Sequence, residues 1–152
     1  MMRITRTRAY KCGLIGLLLL LADAIVVGQA QSSAPNYLEP KYLVKANAGA
    51  VCEMNNLYID LLVGEARKSK ERIFIIAKLG RGEAYQLNWQ RLEAASFFLT
   101  DGKQIASSQI VTAAGARTGN KIGRLEFYLG SQLFLVSEAK RGKGVCLSCC
   151  PV

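Results

Sequence analysis

The chain has 152 residues, a formal net charge of +9 and no histidine, and 51% of its residues are hydrophobic. That length fits one domain plus a targeting segment, and that hydrophobic share supports a packed core, so the chain is not expected to be disordered as a whole. Without histidine, imidazole acid–base catalysis and histidine-ligated metal are excluded too.

The first thirty residues have the layout of a secretory signal peptide. Arg3, Arg6, Arg8 and Lys11 form a basic n-region, and residues 13–22 (GLIGLLLLLA) form an apolar h-region. Gly28-Gln29-Ala30 then offers small residues at the −3 and −1 positions of a cleavage site. We expect residues 1–30 to be a signal peptide cut after Ala30. The alternative is an uncleaved anchor, which would be the chain's only membrane contact. It would span a bilayer with 17 residues, Cys12 to Gly28, that include the charged Asp23. Either way the protein is expected to be exported, to the periplasm or the cell envelope. Setting these residues aside leaves sixteen cations against ten acids, a charge of +6 that suits anionic partners.

Residues 31–45 read as an N-terminal tether, QSSAPNYLEP, followed by a possible first strand, KYLVK. The domain proper is expected over 46–139. Asn55 or Asn56 is the expected cap of a first helix over Asn56 to Ser69. Tyr58, Leu61, Leu62 and Ala66 would share its inner face. Arg72 to Lys78, RIFIIAK, is short, apolar and β-branched, and predicts a central strand. Gly80 and Gly82 loosen the following loop. A second helix is expected over Tyr85 to Leu99, with Tyr85, Trp89, Leu92, Ser96 and Leu99 as its core stripe and Ala95 and Phe98 widening it. Asp101-Gly102 should end it, with the glycine left-handed.

Ile110 to Ala114 predicts a third strand. Arg124 to Leu129 and Gln132 to Ser137 predict a hairpin around Gly130-Ser131. The order is βαβαβββ. It implies an α+β fold, a two-layer sandwich of one mixed sheet with two helices on one face.

Residues 140–152 form a basic, cysteine-rich tail. Cys52, Cys146, Cys149 and Cys150 would remain after signal removal. Export favours disulfides, and a Cys-x-x-Cys at the chain end before a proline is poorly placed for redox catalysis. A metal site would need all four thiolates. We therefore expect structural disulfides, with Cys52 joined to one of the three C-terminal cysteines and no metal. Such a bridge would close a loop worth about 4 kcal/mol.

No catalytic constellation is visible. Gly80-Arg81-Gly82 is too short for a phosphate loop, and the acids Asp60, Glu65, Glu71, Glu83, Glu93, Asp101 and Glu126 are scattered. We expect no enzyme activity and no cofactor. The basic runs 67–70 and 140–143 lack interleaved aromatics, so nucleic acid is not an expected partner.

Residues 87–99, LNWQRLEAASFFL, resemble the second helix of the OmpA-like domain family, whose pattern is Leu-Ser-x-x-Arg-Ala-x-x-Val-x-x-Tyr-Leu. Leu87, Arg91 and Leu99 match, while Asn88, Leu92, Ala95 and Phe98 stand at the other pattern positions. Gly102, Ile105 and Ile110-Val111 resemble the family's step into its third strand. Residues 114–119 resemble its Gly-x-Gly-Glu loop, and Gly123 to Glu126 its closing strand. The resemblance covers about Cys52 to Leu129.

It implies a βαβαββ fold outside the cytoplasm, with no catalysis. It also implies non-covalent binding of peptidoglycan, a diaminopimelate carboxylate being gripped by an Asp after strand two and by the helix-two Arg. The Arg corresponds to Arg91. The Asp has no counterpart in residues 79–86, and Ala84 stands where the family has Asn. Glu83 is the nearest candidate acid, so Arg91 and Glu83 are the candidate ligand-binding residues. Arg91 should lie in the first two turns of helix two, facing the loop. As a surface residue it should be replaceable by Ala without loss of folding.

Two readings follow. One is a module that binds peptidoglycan or another anionic wall polymer, favoured if an exposed acid stands near Arg91. The other is a structural or protein-interaction domain that kept the fold and lost the ligand, favoured if Arg91 is buried or neutralised.

Overall fold

The structure is a computed structural model, and it describes residues 39–147. The expected signal peptide, its cleavage site, most of the tether, Cys149 and Cys150 lie outside the described residues. Among the described residues no helix is long and apolar enough to cross a membrane.

Five strands and two helices form an α+β domain. In chain order they are β1 (Tyr42–Val44), α1 (Val51–Ser69), β2 (Ile73–Lys78), α2 (Gln86–Phe97), β3 (Ile110–Ala114), β4 (Arg124–Leu129) and β5 (Gln132–Glu138). One mixed sheet has the order β1-β5-β4-β2-β3. β1 runs parallel to β5 and β2 parallel to β3, whereas β4 is antiparallel to both β2 and β5. The hairpin turns at Gly130, whose φ of 55° is open to glycine at no steric cost. Its returning strand β5 lies inside the sheet, between β1 and β4.

Alternation along the strands makes the core. Ile73, Ile75 and Ala77 of β2 stand opposite Leu129, Phe127 and Leu125 of β4, and all six are buried. Ile59, Leu62 and Ala66 of α1 and Leu92 and Ala95 of α2 join the same cluster. Val145 and Leu147 also pack there, so the start of the tail belongs to the folded body.

Three expectations about the helices need correction. α1 begins at Val51, five residues early, and no side chain caps it. Ala50 takes the left-handed conformation and its carbonyl accepts the Met54 N–H at 3.0 Å. Asn55 is instead a buried helix residue whose Nδ2 donates to the Cys146 carbonyl at 2.8 Å. α2 is rotated relative to the expected stripe. Tyr85 and Trp89 are 72% and 65% exposed, and the inner face is Asn88, Arg91, Leu92 and Ala95. Gly102 is not left-handed. α2 widens into a π-turn, Phe98–Gly102, in which the Lys103 N–H reaches the Phe98 carbonyl, and Gln104 takes the positive φ of 55°.

Cys52 and Cys146 are bonded, 94 residues apart, with Cα atoms separated by 4.9 Å. The bridge ties the first turn of α1 to the strip of tail that Asn55 also holds.

Candidate functional site

Three connections meet at the end of the sheet where β2 finishes. They are the loop 79–85, the segment 115–123 before β4, and residues 139–144 after β5. Backbone bonds lace them together: Arg81 N–H to the Asn120 carbonyl at 2.8 Å, Thr118 N–H to Leu79 at 2.7 Å, and Ala139 N–H to Gly123 at 2.9 Å. The approach is close enough to require glycine. A Cβ on Gly80 would stand 2.4 Å from the Lys121 carbonyl oxygen.

Inside this junction Glu83 meets Arg91. Arg91 lies in the second turn of α2 and faces the loop, as expected. It is 1% exposed and Glu83 5%, which corrects the expectation of a surface arginine. Nη1 donates to Glu83 Oε2 at 2.9 Å and Nη2 to Oε1 at 2.8 Å, a planar two-point pairing. Nε and Nη2 also donate to the Lys143 carbonyl at 3.1 and 2.8 Å. Glu83 takes two further donors, the Gly80 N–H at 2.7 Å and the Gly142 N–H at 3.0 Å.

Burial opposes the charge on Glu83. The hydrogen bonds from Arg91, Gly142 and Gly80, with the guanidinium's charge, outweigh it and hold the carboxyl at about 2. Gly123 makes room for the pair, since a Cβ there would lie 2.2 Å from Arg91 Nη1 and 2.4 Å from Glu83 Oε2. Arg117 clamps the loop from outside. Its Nη1 donates to the Gly80 and Glu83 carbonyls at 3.0 and 2.9 Å, and its guanidinium stacks 4.7 Å from the Tyr85 ring centroid.

The two candidate ligand-binding residues therefore come together and bind each other. Four hydrogen bonds from Arg91 end on groups of this chain. Around them the rim is exposed and basic, with Arg81, Arg117, Lys121, Lys140, Arg141 and Lys143.

Two features escaped the sequence reading. The first is a charged cluster on the sheet face away from the helices. Glu126 Oε1 accepts Lys78 Nζ at 2.9 Å and Arg124 Nε at 2.7 Å, and Oε2 accepts the Tyr128 hydroxyl at 2.9 Å. Burial would raise the Glu126 carboxyl, but the bonds from Lys78 and Tyr128 and the nearby positive charges lower it. The alternation Arg124-x-Glu126-x-Tyr128 was the available signal, because residues two apart on a strand share a face. The second is a groove of about 560 Å³ between α2 and β3, lined by Trp89, Leu92, Phe97, Thr100 and Thr112 among others. The apolar stripe assigned to the core concealed it.

Among the described residues no cluster of three or more Cys, Asp or Glu could hold a metal ion. Comparison with protein-family models, curated proteins and solved structures found no match.

Proposed function

We propose that this chain is a non-catalytic, exported module of the cell envelope. In this reading it keeps an OmpA-like arrangement, has given up the family's carboxylate grip, and works as a structural or protein-interaction domain. One observation carries the reading. The arginine that would take a ligand carboxylate already holds an internal one, at two points and out of water. A ligand would have to displace Glu83, and the charge left behind would be buried and unpaired, at a cost of several kcal/mol.

The basic rim supports a second reading, in which an anionic wall polymer adheres to the outside of the junction. Sedimentation of the full chain with purified peptidoglycan sacculi separates the two. The interaction-domain reading expects any adhesion to vanish at moderate salt, because contacts between exposed charges are screened. Adhesion that survives salt and is lost in Arg81→Glu with Arg141→Glu would establish the polymer-binding reading in its place.

A further inference from the structure

β3 is an edge strand with an unusual combination of features. Among the described residues it pairs with β2 alone. Its sequence is Ile-Val-Thr-Ala-Ala, with no charge, proline or bulge, which are the devices that keep exposed edges from pairing. The other edge, β1, is only three residues long and lies between the exposed Lys41 and Lys45.

The direction of the free groups on β3 follows from its register. The Gly115 N–H donates to the Ala77 carbonyl at 2.8 Å, and Ala77 stands opposite Ala114. In a parallel ladder this turns the polar groups of 111 and 113 toward β2, so those of 110, 112 and 114 point outward. The Ile110 N–H is already given to the Ser107 carbonyl. The open edge thus presents donors at Thr112 and Ala114 and acceptors at Ile110, Thr112 and Ala114. This pattern is complementary to itself. Turned about a two-fold axis through Thr112, Thr112 meets Thr112 as a hydrogen-bonded antiparallel pair, and each Ala114 N–H meets the other copy's Ile110 carbonyl.

Charge and shape agree with a second copy as the occupant. Two bodies of like net charge repel least where charge is sparse, and among the described residues lining the groove beside β3 only Glu93 is charged. Side chains of a hydrogen-bonded antiparallel pair lie on one face, so the two α2 helices would face each other across the seam. Trp89 and Phe97, 65% and 58% exposed, would close the two grooves. The two rings remove on the order of 250 Å² per copy from water. Even with the strand edge added, that is a small interface against a standard of about 800 Å² per partner, so the association is weak and reversible.

We propose that two copies of this chain join their β3 edges antiparallel across a two-fold axis at Thr112, forming one continuous sheet, with Trp89 and Phe97 sealing the seam. The proposal names a partner for the interaction-domain reading and rests on it only to that extent, since the sacculus experiment tests that reading separately.

Sedimentation equilibrium of the full chain in mild detergent tests it, with Cys12, Cys149 and Cys150 replaced by Ser. The expected result is a monomer–dimer equilibrium in the micromolar range. Thr112→Pro removes an outward N–H and leaves the ladder to β2 intact. It should weaken the dimer at least tenfold, as should Trp89→Ser combined with Phe97→Ser. Thr112→Cys should cross-link on mild oxidation, because paired Cα atoms about 5.5 Å apart fall within disulfide reach. Ala113→Cys should not, since two-fold mates at that position lie beyond about 7 Å. A single monomeric mass at all concentrations to about 100 µM would overturn the proposal, and so would a dimer indifferent to Thr112→Pro and to the aromatic pair. Cross-linking at position 113 in preference to 112 would also overturn it.

Discussion

Glu83 and Arg91, eight residues apart in sequence, meet in a buried two-point pairing of 2.8 and 2.9 Å, in space that Gly123 leaves by lacking a side chain. A pair so enclosed is worth less for its own attraction than for what happens when it is broken. Removing one partner strands the other's charge away from water. Arg91→Ala should therefore lower stability by about 3–5 kcal/mol in urea unfolding. Arg91→Lys should recover little of this, because a lysine ammonium lacks the planar fork that meets both carboxylate oxygens while also reaching the Lys143 carbonyl.

Acid should act through the same carboxyl. The Glu83 pKa falls from 4.5 in the unfolded chain to about 2 in the fold. A depressed carboxylate stabilises fully above the unfolded value, and that contribution is lost as pH falls from about 5 toward 2. The difference corresponds to about 3 kcal/mol. Urea midpoints between pH 6 and 2 should drop steeply for the natural chain. Glu83→Gln should start lower and follow a flatter curve over this window.

Gly123 and Gly64 form a matched test. Gly123→Ala forces a methyl onto Arg91 and Glu83 and should cost about 1–3 kcal/mol, as overpacking does. Gly64, inside α1, has nothing within 4 Å of the Cβ it would gain. Gly64→Ala should raise stability by about 0.5–1 kcal/mol. Thermal unfolding of the two variants should move in opposite directions.

Tyr128 offers a spectroscopic reading of the charged cluster. Burial, its hydrogen bond to Glu126 and that carboxylate's charge raise its pKa from 10.0 to about 12. The stabilisation is whole below pH 10 and is lost as pH rises through 12. In an ultraviolet titration one tyrosine should ionise near pH 12. Glu126→Gln should bring it back toward 10.

Breaking the Cys52–Cys146 bridge should cost about 4 kcal/mol, since it frees a loop closed over 94 residues. Hydrogen exchange should rise first at 143–147, where the tail is held by Asn55 and Arg91.

The sequence was most legible where periodicity was clean. β2 and the β4–β5 hairpin carry apolar runs or strict alternation between charge and glycine, and their positions followed directly. It was least legible where polar groups face inward. Asn88 and Arg91 occupy the inner face of α2, and hydrophobicity alone puts Trp89 and Tyr85 there instead. Nothing local marks Arg91 as buried, because the carbonyl that completes its shell lies 52 residues away. The start of α1 was hidden for a similar reason. Its first turn is held by a cysteine whose partner is at the far end of the chain, and the asparagine that resembles a cap serves that same end.

The place of β5 in the sheet sets an order in time. Among the described residues β1 pairs with no strand but β5, and β5 begins at Gln132. A chain that emerges from the ribosome N-terminal end first presents the other four strands and both helices of the described domain before the strand that unites them. The buried Phe134 and Leu135 arrive with it. Until β5 is free, β1 lacks the strand that joins it to β4 and the rest of the sheet. The latch closes last, when Cys146 reaches a Cys52 that has waited since the first third of the chain came through.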